Sequence, residues 1–219
     1  MKKNALIVHG GWEGHEPVKV TEVFQDILEK KDFEVEVADS LDVFCDKELV
    51  KKMDLIIPHW TMGEITDEQV KPVLQAVENG TGLAGIHGGM CDAFRQNVDW
   101  QFMTGGQWVA HPGGDGVDYV VNIKKSSSSP IVAGINDFKV SSEQYYMHID
   151  PAVNVLATTS FPVVDGPHAT NGKVDVPVVW TKYWGEGRVF YSSLGHHADI
   201  LEIEEITTIM RRGFQWAAK

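Results

Sequence analysis

"GTGLAGIHGGMCDAF" (80–94) decides how the rest of the chain is read. An apolar run, Leu83-Ala84-Gly85-Ile86, stops at His87, two glycines follow, and a helix-like segment begins. Strand, sharp glycine turn and helix in succession form the setting in which many α/β enzymes display a nucleophile. Here the residue at the turn is an imidazole.

The segments before this stretch repeat the same unit. "NALIVHGG" (4–11) reads as a buried parallel strand closed by glycines, and Val20, Val23, Phe24, Ile27 and Leu28 then recur at helical spacing across 17–31. "FEVEVAD" (33–39) alternates as a second strand, "DKELVKKM" (46–53) is a short helix, and "DLIIPHW" (54–60) is a third strand. Val70, Val73, Leu74 and Val77 mark a helix over 67–78 with Asn79-Gly80 as its stop, although Pro72 inside the pattern blurs its start. Strands and helices alternating through short loops predict one α/β domain over 1–219, built on a doubly wound parallel sheet.

Beyond residue 100 the pattern changes. Strands are expected at 118–125, 153–160, 177–184 and 188–197, with "GEG" (185–187) as a hairpin turn and "SSSSP" (126–130) as a polar loop. A helix over 202–218 closes the chain, and the second half reads as an antiparallel elaboration of the sheet.

Composition narrows the function. Thirty-one acidic against 19 basic residues give a net charge of −12, which excludes nucleic acid as a partner, because phosphate binding needs clustered Lys and Arg. Cys45 and Cys91 lack a CxxC partner and read as reduced thiols. The apolar run Ala5–Val8 is too short for a signal peptide, and none approaches the roughly 20 residues of a membrane span. A soluble cytoplasmic protein is expected, with no membrane partner. A homo-oligomer is expected as well, with 118–125 as one candidate edge.

The chemistry-bearing residues gather at strand ends, where open parallel sheets bind their ligands. Four expected strands end in His9, His59, His87 and His196, with His197 adjoining, and nearby loops add His15, His111 and His148. Histidine suits both proton transfer near neutral pH and coordination of zinc or a similar divalent metal. No HxH or HExxH spacing chooses between them, and the cofactor stays open. The glycine turns at 9–15, 87–89, 104–108 and 111–116 match neither GxGxxG nor a P-loop, so a nucleotide is not expected. Trp12, Trp60, Trp108, Tyr145, Tyr146 and Trp184 flank the same segments and suit stacking on sugar rings. Glu143, in "SSEQYYMHID" (141–150), is the carboxylate to single out, as a base, a histidine orienter or a metal ligand.

Five motifs in one order, "LIVHGGWEGHEP", "GLAGIHGGMCDAF", "GGQWVAHPGG", "SSEQYYMHID" and "PVVWTKYWGEGRVFYSSLGHH", resemble the ThuA-like (trehalose utilisation) family over residues 4 to 216. The resemblance implies the class I glutamine amidotransferase-like fold, a flavodoxin-like parallel sheet. It also places His87 where that superfamily carries its catalytic cysteine, and His196 or His197 where it carries the activating histidine. Cys91 lies one helical turn further on, so cysteine-dependent glutamine hydrolysis is not expected. The implied role is carbohydrate metabolism, on trehalose, related disaccharides or oxidised keto-sugars.

The expectation is therefore an enzyme acting on a small-molecule sugar or keto-sugar by acid–base or metal-assisted chemistry. His87 and His196 are the candidate proton-transfer or metal-binding pair, and Glu143 the base or orienter. Trp12, His15, Trp60, Gly88 and His111 are candidate substrate-binding residues. The alternatives are a non-catalytic sugar-binding or regulatory module and a metal-dependent hydrolase.

Overall fold

The structure, a computed structural model, describes residues 2–219. Its first half follows the β-α rhythm: β1 (Lys3–Gly11), α1 (Pro17–Glu29), β2 (Phe33–Ala38), α2 (Lys47–Lys52), β3 (Leu55–Thr61), α3 (Asp67–Glu78), β4 (Gly82–Ile86), α4 (His87–Cys91) and α5 (Val98–Thr104). The second half adds β5 (Gly106–Ala110), β6 (Val117–Ile123), β7 (Phe138–Ser142), β8 (Tyr146–Ile149), β9 (Asn154–Phe161), β10 (Val174–Trp184), β11 (Gly187–Ser192) and α6 (Glu204–Ala217). Among the described residues no helix is long and apolar enough to cross a membrane.

Nine strands form one sheet in the order β2-β1-β3-β4-β11-β10-β9-β6-β7. The first five are mutually parallel and the rest antiparallel. The parallel part has the order of a flavodoxin-like sheet, with its switch point beside β1. Period-2 alternation divides each central strand between two cores. Ala5, Ile7, Leu55, Ile57, Ala84 and Ile86 face α1 and α6 through Phe24 and Phe214. Leu6, Val8, Ile56, Leu83, Val189 and Tyr191 face the α2, α3 and α5 side through Val50, Val73 and Trp100.

Local signals explain the helix limits. Thr66 caps α3 in a reciprocal capping box with Gln69, so the helix starts at Asp67 despite Pro72. α4 runs for only five residues because Ile86 offers no side-chain cap and Asp92 leaves helical geometry.

Several expectations are corrected in the second half. The segment around 118–125 is not a free edge: β6 lies between β7 and β9, and β7 closes the sheet. The strand expected over 188–197 ends at Ser192, so His196 and His197 sit in a loop beyond it. β5, β7 and β8 were not expected, because each is only four or five residues long, and such short runs carry little periodicity.

Candidate functional site

Beyond the carboxyl ends of the parallel strands, four imidazoles close on one carboxylate. His15 stands in the turn after β1, His87 opens α4, His111 follows β5, and His196 follows β11. Glu143 lies between β7 and β8 and is 5% exposed. Its Oε2 is 3.1 Å from His87 Nε2, 3.3 Å from His196 Nδ1 and 3.8 Å from His15 Nε2. Its Oε1 is 2.7 Å from His111 Nδ1.

The backbone holds this arrangement firmly. The Tyr119 hydroxyl donates to the Glu143 carbonyl, and the Ser142 hydroxyl donates to the Gly195 carbonyl, tying β7 to the His196 loop. His87 adopts φ 46°, a left-handed conformation that L-residues tolerate poorly and that clusters at functional sites. The Tyr191 hydroxyl donates to its carbonyl and Tyr145 stacks on its ring at 3.9 Å, so the turn and the imidazole are both fixed. Gly88 gives the His15 ring room, since a Cβ there would lie 2.5 Å from His15 Cε1.

The ring nitrogens pointing away from Glu143 set the tautomers. His87 Nδ1 lies 2.9 Å from the Ser193 carbonyl, which can only accept, so Nδ1 carries the proton. In the neutral ring, His87 Nε2 then presents a bare lone pair to the carboxylate at 3.1 Å. Two acceptors at that distance repel unless a proton or a cation lies between them. His15 Nδ1 is held 2.7 Å from the Thr61 hydroxyl, which aims its Nε2 inward too. His111 Nδ1 and His196 Nδ1 face the carboxylate without the alignment of a hydrogen bond.

The ionisation states follow from the surroundings. Burial pushes the His87 imidazolium down to about 4, against the pull of Glu143. Burial raises the Glu143 carboxyl, but its interactions with His15, His196 and His87 hold it below the usual carboxylate range. For His196, burial is outweighed by Glu143, Asp115 and Glu16, and the group is raised.

A divalent metal fits this donor set. Zinc bonds of about 2.0–2.1 Å put neighbouring tetrahedral ligands about 3.3 Å apart. Spacings of 3.1, 3.3 and 3.8 Å around Glu143 bracket that value. His15, His87, Glu143 and His196 are all buried, and one donor atom of each lies within 4.8 Å of the others. The outer nitrogens of His15 and His87 are held by the Thr61 hydroxyl and the Ser193 carbonyl, which fix ring orientation as ligating histidines need.

A cavity of about 150 Å³ opens over the cluster. Trp12, Trp108 and Tyr145 wall it, and Arg95 grips Asp92 with two hydrogen bonds while lying 4.6 Å over the Trp108 ring. A larger cavity of about 480 Å³ near Lys47, Lys51 and Lys219 sits at the opposite ends of the strands and contains no histidine.

Of the residues singled out in the sequence, His87, Glu143, His196, His15 and His111 meet in the cluster, and Trp12 and Gly88 border it. Trp60 does not line the cavity; its ring covers Gly10 and Gly63 instead. His59 is buried beside His15, its Nε2 3.4 Å from the His15 carbonyl, and burial holds its imidazolium down to about 3. His9 and His148 stay outside the cluster, the latter exposed on β8. Cys91 is buried, and burial pushes its thiol up, which removes the thiolate. Asp92, Arg95 and Asp115 went unnoticed in the sequence, where isolated charges near glycine turns give no periodic or motif signal.

The comparisons agree with this architecture. A protein described as ThuA-like from Parabacteroides merdae superposes with a TM-score of 0.76 at 20% identity, covering 100% of this chain and 91% of that one. A second, from Bacteroides uniformis, gives 0.77 at 20% identity, covering 98% and 91%. A β-galactosidase from Bacillus circulans sp. alkalophilus gives 0.63 at 14% identity; the match spans 100% of this chain and 31% of the enzyme. At these identities the likeness shows the fold. No curated protein sequence matches the chain. The ThuA family model, described as trehalose utilisation, matches residues 4–217, and the chain belongs to the ThuA family.

Proposed function

We propose that the chain is an enzyme of carbohydrate metabolism that acts on a sugar or keto-sugar derivative, with a divalent cation such as zinc held by His15, His87, His196 and Glu143. One observation carries this reading: imidazole nitrogens converge within 3.8 Å of a single buried carboxylate, two of them without an aligned hydrogen bond. The family's description, trehalose utilisation, supplies the substrate class.

When bound, such a cation acts as a Lewis acid toward a substrate oxygen. The chain's own residues supply the rest. Trp12 and Trp108 flank the cavity as faces for a sugar ring. Asp92, locked by Arg95, presents a fixed acceptor to ring hydroxyls. His111 has a 39% exposed side chain with Nδ1 directed at Glu143 Oε1, so it is the group placed to move a proton between substrate and cluster. Cys91 does not line the cavity, which leaves nucleophilic cysteine chemistry without a nucleophile.

The test is elemental analysis of the purified chain together with product analysis on a panel of disaccharides and their keto derivatives. Tightly held metal and turnover are both expected to vanish in Glu143→Ala and His87→Ala. His111→Ala is expected to keep the metal and lose turnover about 100-fold or more, as for a lost general acid–base group. Saturable sugar binding with no product would favour the sugar-binding module. Metal-free protein with unchanged turnover in both cluster variants would sink the proposal.

A further inference from the structure

The rim of the cluster carries a second donor set, in which Asp115 and His197 join the outer nitrogen of His196. Asp115, on the glycine-rich loop after β5, places Oδ2 3.9 Å from His196 Nε2 and 3.5 Å from His197 Nε2. One donor atom of each of these three residues falls within 4.8 Å of the others.

Unusual backbone geometry builds this arrangement. Consecutive side chains of an extended segment point to opposite sides, yet the His196 and His197 rings lie 4.1 Å apart. The cause is His196 itself, held at φ 101°, where an L-residue is strained. Gly114 and Gly116, at φ 70° and 76°, let the loop curl on either side of Asp115. Behind His197, Glu16 Oε2 accepts from the Ala198 amide at 3.0 Å and lies 3.8 Å from His197 Nδ1, so the ring is steadied from its other edge. His196 thereby faces two donor sets, with Nδ1 inward to Glu143 and Nε2 outward to Asp115.

We propose that Asp115, His196 and His197 hold a second divalent cation at the mouth of the site, the His196 ring being shared with the inner ion. The shared ring rests on the inner metal proposed above. Two imidazole nitrogens and one carboxylate oxygen suit zinc, and also cobalt, nickel or copper. Side chains 49% exposed at Asp115 and 42% at His197 leave the outer ion open to water and to substrate oxygens. A ring bound at both nitrogens gives up its Nε2 proton to solvent when the outer ion binds.

Zinc titration of the metal-free chain, with equivalents counted by elemental analysis and calorimetry, tests this. Wild type is expected to take two equivalents per chain, the second more weakly than the first. Asp115→Ala and His197→Ala, both at half-exposed positions away from the core, are each expected to stop at one. Cupric ions in place of zinc are expected to couple through the shared ring and lose the isolated-copper resonance, which His197→Ala restores. A wild type that stops at one equivalent overturns the second site and leaves the inner one standing, with Asp115 then only an orienter of His196. Two equivalents persisting in both variants also overturn it, and a wild type that takes none overturns both sites.

Discussion

The two halves of the nine-stranded sheet bring different chemistry to one site. The parallel half supplies imidazoles from the loops after β1, β4 and β11, where topology puts ligands in any such sheet. The antiparallel half, together with the separate two-stranded sheet of β5 and β8, supplies the carboxylates Glu143 and Asp115, with His111, from the turns between β5 and β6 and between β7 and β8. The parallel half alone would be a ring of imidazoles with no carboxylate at their centre. The antiparallel half turns it into a charged, directed donor set by threading Glu143 among His15, His87 and His196, each of which keeps an outer hydrogen bond or a strained backbone.

Removing the Glu143 carboxylate has the largest expected effect. With zinc at 1,000 times its Kd, binding stabilises the fold by about 4 kcal/mol, worth roughly 8–16 °C in a chain of this size. Glu143→Gln is expected to abolish that rise in Tm. In metal-free protein the same substitution is expected to leave Tm unchanged or higher, because an amide can donate to the bare His87 Nε2. A large loss of apo stability would instead make Glu143 a structural acceptor.

Within the parallel half, Thr61→Val removes the partner of His15 Nδ1 while keeping the volume. Zinc affinity is expected to fall about 10–100-fold, the usual cost of an outer-shell change. Unchanged affinity in a calorimetric titration would remove His15 from the donor set.

Away from the site, Lys182 of β10 is 7% exposed and donates to the Phe102 carbonyl and to Asp150 Oδ2, the latter at 2.6 Å. The hydrogen bond from Lys182 comes first in holding the Asp150 carboxyl below its ordinary value. A lowered folded-state pKa adds stability above the unfolded value of about 3.9, which is lost as pH falls through the folded one. Asp150→Asn is therefore expected to cost about 1.5–3 kcal/mol near neutral pH and to flatten acid unfolding below about pH 4. An unaltered acid profile would show that the pair contributes nothing.

The smallest effect is expected at Cys91. Its thiol is buried and pushed up, so iodoacetamide should leave it unmodified in the folded chain and any turnover unchanged. Inhibition tracking its alkylation would return the site to cysteine chemistry.

The parallel half was legible in the sequence because its strands and helices carry periods of 2 and 3.6 over long runs. The spans expected at 17–31, 33–39, 54–60 and 67–78 fall within a residue or two of α1, β2, β3 and α3. His87 was also legible, since an apolar run ending in His-Gly-Gly marks a sharp turn at a strand end. Trp60 and His59 show the limit of the same rule. Both sit at the end of β3 after an apolar run, as His87 does after β4 though without its glycines, yet one ring covers Gly10 and Gly63 and the other is buried behind His15.

By itself the sequence determined the α/β class and the family. These depend on local periodicity, on turn chemistry and on residue identity. Tertiary structure alone decided which histidines meet, that Glu143 is their common partner, and that Asp115 reaches His196 and His197. The four histidines lie 32 to 128 residues from Glu143 in the chain, and no periodicity reports a distance across a fold. A lone-pair-to-carboxylate approach such as His87 to Glu143 exists only once two separate turns are packed against each other.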